Sequence, residues 1–192
     1  LYIADEVQSG FGRTGDHMWG FEADGVIPDI IVMAKGIGNG FPLAAVVTKR
    51  EIAEPMAEKF LFHTYGANPT CCAAGRAVLQ VIREDNVQEN ARIVGAELLK
   101  RLEDLKSKHK AIGDVRGRGL MLAIEMVKDH KTKEPDRETT AAVFEACRET
   151  RRINTKSGTN QSVRRMVPPM CLSLADFDEV AEGLDRAFSG LG

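Results

Sequence analysis

Residues 28–42 read P-D-I-I-V-M-A-K-G-I-G-N-G-F-P, and the parsing of that stretch decides the fold. Residues 30–34 form an unbroken aliphatic run, too short for a helix, entered from Pro28 and Asp29 and left through Lys35, Gly36, Gly38 and Gly40. Such a run reads as a buried strand. Residues 1–4 and 44–48 have the same character, and the segments between the three are long enough for crossovers. This is the grammar of an α/β sheet, whose strands are buried on both faces and need not alternate apolar with polar.

Working outward, Asn68 and Pro69 mark the start of a helix that residues 72–83 continue, because proline is tolerated in a first turn. Val94, Leu98, Leu102 and Leu105 place one apolar stripe on a long helix over residues 87–108. The stripe is too short in heptads for a zipper and reads as core. Residues 114–127 form a glycine-interrupted segment leading into a strand, 128–137 a charged loop and 140–148 a helix. Ser173 with Asp176 matches a capping box ahead of the apolar-periodic run 177–188, so a last helix is expected there. The change from strand-rich to helix-led sequence puts a domain boundary near residues 86–87, dividing the chain into 1–86 and 87–192.

The 192 residues, 43% hydrophobic and 28% charged, have the balance of a globular protein. The formal net charge of -2 supplies none of the concentrated basic field that nucleic acid or an anionic membrane requires, so a small-molecule partner is expected. Cys71, Cys72, Cys147 and Cys171 show no C-x-x-C spacing and no clustered histidine, which argues against a metal site. Cys71 and Cys72 fall in a helical run where neighbours diverge, so they read as packed thiols in a reducing, intracellular compartment, cytoplasmic or mitochondrial. The opening L-Y-I-A-D-E starts inside an apolar run without methionine or a targeting pattern, as a cut chain would.

Lys35 stands at the carboxyl end of a strand, where open α/β sheets bind ligands. The glycines that follow let backbone approach a ligand closely, and partial burial at such a place favours the neutral amine that a Schiff base needs. A lysine after a strand is more often a solvated loop charge. Asp5 shifts the balance: it ends another apolar run, in I-A-D-E-V-Q, where a carboxylate can pair with a protonated ring nitrogen and keep the ring an electron sink. Without Lys35, Asp5 would read as a turn or cap residue.

Five stretches in order, D-E-V-Q-S-G-F-G-R-T-G (5–15), residues 28–42, T-Y-G-A-N-P (64–69), V-R-G-R-G-L (115–120) and R-M-V-P-P-M (165–170), closely resemble class III pyridoxal-phosphate-dependent aminotransferases of fold type I. Within that class the wording is most similar to alanine–glyoxylate aminotransferases of the mitochondrial type and their bacterial relatives. The resemblance implies part of a large domain with a mixed, mostly parallel sheet in 1–86, and a small C-terminal α+β domain in 87–192. It implies pyridoxal 5'-phosphate as cofactor, bound as a Schiff base by Lys35, which then shuttles a proton as general base and acid. Asp5 matches the partner of the pyridine nitrogen, and Gln8 a contact on the phenolic-oxygen side. Thr64 matches the threonine that reaches the phosphate across a homodimer interface; alone it would read as a cap before a helix. Arg165 matches the arginine that grips a substrate carboxylate with two parallel donors, against the plainer reading of a surface ion pair. For Arg116 and Arg118 structural pairing is the better reading.

Two departures from the class matter. The N-terminal half, with the phosphate cradle and the ring-stacking aromatic, has no counterpart here, so the isolated chain is not expected to turn over. Residues 151–166 are more polar than the apolar strand the class shows: Arg151, Arg152, Asn154 and Arg164 stand where glycine or aliphatic residues are expected, and burying them unpaired is costly. That stretch is expected to be exposed, rearranged or an aberrant piece of sequence. The activity implied is transfer of an amino group from alanine or another amine to an oxo acid such as glyoxylate or pyruvate. The alternatives are a phospho-lyase acting on a phosphorylated amino alcohol, and a non-catalytic relative that binds through its dimer surface, which would have no use for Lys35, Asp5, Gln8 and Thr64 together.

Overall fold

The structure is a computed structural model that describes residues 1–149 and 155–190, and it divides into two units, Leu1–Gln88 and Glu89–Gly192. In the first, β1 (Ile3–Asp5), β2 (Ile30–Met33) and β3 (Ala45–Thr48) form a sheet in the order β1-β2-β3. β1 and β2 are parallel, with Asp5 opposite Val32, whereas β3 returns antiparallel with Ala45 opposite Met33. The mixed α/β sheet is as expected; the second crossover is not there. Gly40 takes a left-handed φ of 109°, and a Cβ at Gly38 would overlap the Phe41 backbone, so residues 34–44 reverse within one glycine loop instead of crossing by a helix. Asp29 locks the opposite end: it accepts the Tyr2 amide at 2.7 Å and the Lys49 ammonium at 2.6 Å, while its carbonyl accepts the Thr48 hydroxyl at 2.8 Å.

The expected two-sided burial does not hold either. Ala4 and Met33 are buried, but Val46 is 65% exposed and Ile3 and Val47 are exposed with it. An apolar run predicts two covered faces only if a layer lies over each, and among the described residues of this unit nothing covers Val46. Two helices follow, α1 (Arg50–Ala57) and α2 (Pro69–Glu84). Asn68 caps α2 by accepting the amides of Thr70 at 3.0 Å and Cys71 at 3.2 Å, with Pro69 in the first turn as its fixed φ allows.

The second unit is led by α3 (Val87–Lys108), whose stripe Val94, Leu98, Leu102 and Leu105 is buried as its spacing requires. A side chain cannot fit at Gly95, where a Cβ would overlap the backbone of Gly119; the helix meets the turn of a hairpin there. That hairpin joins β4 (Ile112–Arg118) to β5 (Met121–Met126), so the glycines of R-G-R-G turn the chain between two strands where one was expected. With β6 (Thr155–Ser157) and β7 (Val163–Met166) they make an antiparallel sheet in the order β4-β5-β7-β6. Leu122, Ile124 and Met126 face a core shared with α3, with α4 (Arg137–Glu149) and with α5 (Leu174–Ser189). Ser173 and Asp176 form the expected reciprocal capping box of α5. Asn90 donates to the carbonyls of Met170 at 2.7 Å and Leu172 at 3.0 Å, fixing the P-P-M segment to α3.

Arg164 corrects the expectation for the polar stretch. It is not exposed: it is 1% accessible, and its Nη1 donates to the Val143 carbonyl of α4 at 3.1 Å. Burial drives its guanidinium pKa down, opposed by the neighbouring Cys147. The long stem packs like an aliphatic residue while a helix carbonyl receives the head, which is how this position tolerates an arginine. Arg151, Arg152 and Asn154 lie outside the described residues. The four cysteines are all free; Cys71 and Cys147 are buried, but Cys72 and Cys171 are exposed, so only one of the adjacent pair is a packed thiol. No described helix is long and apolar enough to cross a membrane.

Candidate active site

Because β1 and β2 are parallel neighbours, their carboxyl ends lie at the same edge of the sheet, and this brings Asp5 and Lys35 to one place. Asp5 is the last residue of β1 and opposes Val32, three residues before Lys35. Its Oδ1 accepts the Val7 amide at 3.1 Å, so one oxygen serves a local turn, as the plainer reading of this residue anticipated. Gln8, half-buried, follows on the same turn. Lys35 opens a short 3₁₀ turn, Lys35–Ile37, whose closing amides from Gly38 and Asn39 bind the Lys35 carbonyl at 3.1 and 2.9 Å. Its φ is +47°, a left-handed conformation uncommon outside glycine. Its side chain is exposed rather than partly buried as expected, since the residues of this unit leave that edge of the sheet open.

Thr64 is exposed, in the turn 64–67 ahead of α2, with exposed Tyr65 in that turn and exposed Phe60 and Phe62 in the segment before it. It does not cap the helix, since Asn68 holds that role. Arg165 belongs to the second unit. On β7 it pairs with Ala123 of β5 and Thr155 of β6, and the alternation along the strand turns it to the face opposite buried Arg164 and Met166. Ala123 also pairs with Arg116 of β4, so Arg116 and Arg165 share that face on either side of a small residue. Arg116 is held by Asp114 at 2.7 Å and Glu125 at 2.6 Å, hydrogen bonds that raise its pKa, and the pairing agrees with a structural role.

Three residues that shape this edge were not singled out from the sequence. Glu6, 3% exposed, accepts the Gly20 amide at 2.8 Å, the Phe21 amide at 2.9 Å and the Ser9 hydroxyl at 2.9 Å, folding the long loop after Asp5 onto itself. Phe11 is buried beneath Gly36, and Gly75 lets α2 reach the turn that follows Lys35. A glutamate next to Asp5 and an aromatic between two glycines were the available signals.

The aminotransferase class-III family profile matches residues 1–188. The chain belongs to the class-III aminotransferases. This class-III aminotransferase chain is 50% identical over 189 residues to alanine–glyoxylate aminotransferase 2 homolog 2, mitochondrial, of Arabidopsis thaliana, covering 98% of the chain and 39% of that protein. Among solved structures it is similar to a phospholyase from Arthrobacter in complex with phosphoethanolamine, with a TM-score of 0.93 at 34% identity over 99% of this chain and 45% of that one. It is also similar to a PLP-bound amine transaminase from an uncultivated Pseudomonas species, with a TM-score of 0.91 at 33% identity over 99% and 44%. The chain thus spans less than half the length of these relatives. Pyridoxal phosphate is the cofactor of this class. The donor set at the sheet edge suits it: an exposed primary amine for the aldehyde carbon and a carboxylate for a protonated ring nitrogen, at the ends of adjacent parallel strands.

Proposed function

We propose that the protein carrying this chain moves an amino group from alanine or another amine donor to an oxo acid such as glyoxylate or pyruvate. The observation that carries this reading is the placement of Lys35 and Asp5 at the carboxyl ends of neighbouring parallel strands. Bound there, pyridoxal phosphate supplies an electron-withdrawing ring. Lys35 anchors the cofactor through its amine and then takes and returns the proton at the substrate α-carbon. Asp5 holds the ring nitrogen protonated, and Gln8 contacts the phenolic-oxygen side. Arg165 orients the substrate by its carboxylate, through two parallel donors. Thr64 binds the cofactor phosphate of a second subunit in a homodimer, a role that suits its exposed, aromatic-rich segment. Residues 1–86 belong to the large, cofactor-binding domain and 87–192 to the small one. The Arabidopsis relative is named mitochondrial, which supports the same compartment for this protein.

The likeness to a phospholyase seen with phosphoethanolamine favours a second reading, elimination of phosphate from a phosphorylated amino alcohol. One assay separates the two. Full-length protein given alanine and glyoxylate should produce pyruvate and glycine in equal amounts, and given phosphoethanolamine should release no phosphate. Asp5→Asn should keep the fold and slow turnover by about a hundredfold or more, as loss of a charge-assisted contact implies. An Asp5→Asn protein of wild-type rate would remove Asp5 from the site.

A further inference from the structure

Lys35 and Phe11 are both non-glycine residues in left-handed backbone, at φ +47° and +62°, and Gly36, which follows Lys35, lies beside the Phe11 ring. A methyl group placed on Gly36 would sit 3.4 Å from Phe11 Cδ2. Phe11 is 5% exposed, and Trp19 meets its ring edge-on with the centroids 5.0 Å apart. Its loop is closed by the Gly12 amide on the Met18 carbonyl at 3.0 Å and by the Glu6 contacts. A second contact reaches the turn from α2. A Cβ on buried Gly75 would come within 3.3 Å of the Ile37 carbonyl and 2.6 Å of Leu43 Cδ2, so the helix lies close against the turn and an added methyl would have to push Leu43 aside. Backbone in sparsely populated regions persists where its surroundings over-determine it, and here an aromatic ring and a helix border the turn.

We propose that Phe11 is a positioning residue for Lys35: its ring, which borders Gly36 so closely that an added methyl would touch it, fixes the left-handed turn from which the Lys35 side chain departs, and Gly75 of α2 completes the clamp. This rests on the reading of Lys35 as the cofactor-bearing lysine. A reacting amine must be held to within a fraction of an ångström, and a turn free to relax toward ordinary right-handed backbone would swing it away. Phe11 touches none of the reacting atoms and acts only through the backbone of residues 35–38.

The test uses full-length protein with and without pyridoxal phosphate, comparing wild type, Phe11→Ala, Phe11→Leu and Phe11→Gly. Amide hydrogen exchange is followed by mass spectrometry in peptides over residues 34–40 and over β1 and β2. Phe11→Ala should speed exchange in residues 34–40 by about tenfold while β1 and β2 keep their protection. It should lower kcat by about tenfold or more and leave the alanine KM within about twofold. Phe11→Leu, which refills most of the space, should recover much of both. Phe11→Gly, which relieves the backbone but removes the ring, should resemble Phe11→Ala. Unchanged exchange and kcat in Phe11→Ala would overturn the proposal, as would protection lost equally across β1 and β2 in both Phe11→Ala and Phe11→Leu. Borohydride labelling of the wild type keeps the two ideas apart. Label on Lys35 with unmoved exchange sinks the clamp alone, and label on another lysine sinks the reading on which it stands.

Discussion

The Glu6 carboxylate accepts the amide of Phe21 at 2.9 Å, across fifteen positions of chain, and thereby closes the loop that leads from β1 towards β2. With Gly20 and Ser9 it satisfies three donors from a nearly sealed position. Removing an acceptor from buried donors costs about 1–3 kcal/mol for groups left unsatisfied. Glu6→Ala should therefore lower the stability of full-length protein by about 3 kcal/mol in urea titration, and Glu6→Gln by less. A loss of under about 0.5 kcal/mol, the usual range for surface changes, would mean that water reaches the donors and the loop is not held by this residue.

Asp185 of α5 lies 2.6 Å from His109 Nε2, with Lys108 at 3.6 Å, and His109 stacks on Phe188 with the ring centroids 5.3 Å apart. The hydrogen bond to His109, with the nearby charges, holds the Asp185 carboxyl below its ordinary range. A carboxyl depressed in the folded state adds stability above its unfolded pKa, near 4, and that stability disappears as the pH falls through the folded value. Melting temperatures measured from pH 7 downward should fall on the acid side of about pH 4, and Asp185→Asn should lower the melting temperature at pH 7 and flatten part of that fall, so that the two proteins converge at low pH. An identical acid limb in both proteins would show that the contact contributes nothing to folding.

Arg165 is predicted to set the preference for substrates that carry a carboxylate. Arg165→Lys keeps the charge but loses the planar fork, so kcat/KM should fall by about tenfold or more for alanine and hardly at all for a simple amine such as 1-phenylethylamine. Equal losses on both would make Arg165 a structural arginine like Arg116, whose hydrogen bonds to Asp114 and Glu125 tie it to its own sheet.

What the sequence revealed and what it hid have physical reasons. Helix starts were readable where one residue makes the cap, as at Asn68 and at Ser173 with Asp176, because capping is a local interaction between near neighbours. The α3 stripe was readable for the same reason, through its period. β4 was not, since G-D-V-R-G-R alternates weakly and its pairing with β5 is decided by the turn at Gly119. The antiparallel return of β3 depended on glycines whose φ a sequence does not display. Val46 and Val47 looked buried because apolar runs predict burial only together with a covering layer. Arg164 looked misplaced because its acceptor, the Val143 carbonyl, comes from a helix twenty-one residues earlier. At the sheet edge, Asp5 and Lys35 could be singled out one by one, each from its place at a strand end. Glu6, Phe11 and Gly75 act through contacts far apart in the chain, which no local pattern carries.

The central claim is that Lys35, and no other lysine, bonds the cofactor. Full-length protein loaded with pyridoxal phosphate, reduced with borohydride and digested should yield one labelled peptide, containing residues 28–42 with the modification on Lys35. Lys35→Ala should lose both the label and the visible absorbance of the bound cofactor while keeping its fold. Label on Lys49 or Lys59, or a labelled and active Lys35→Ala protein, would contradict the account.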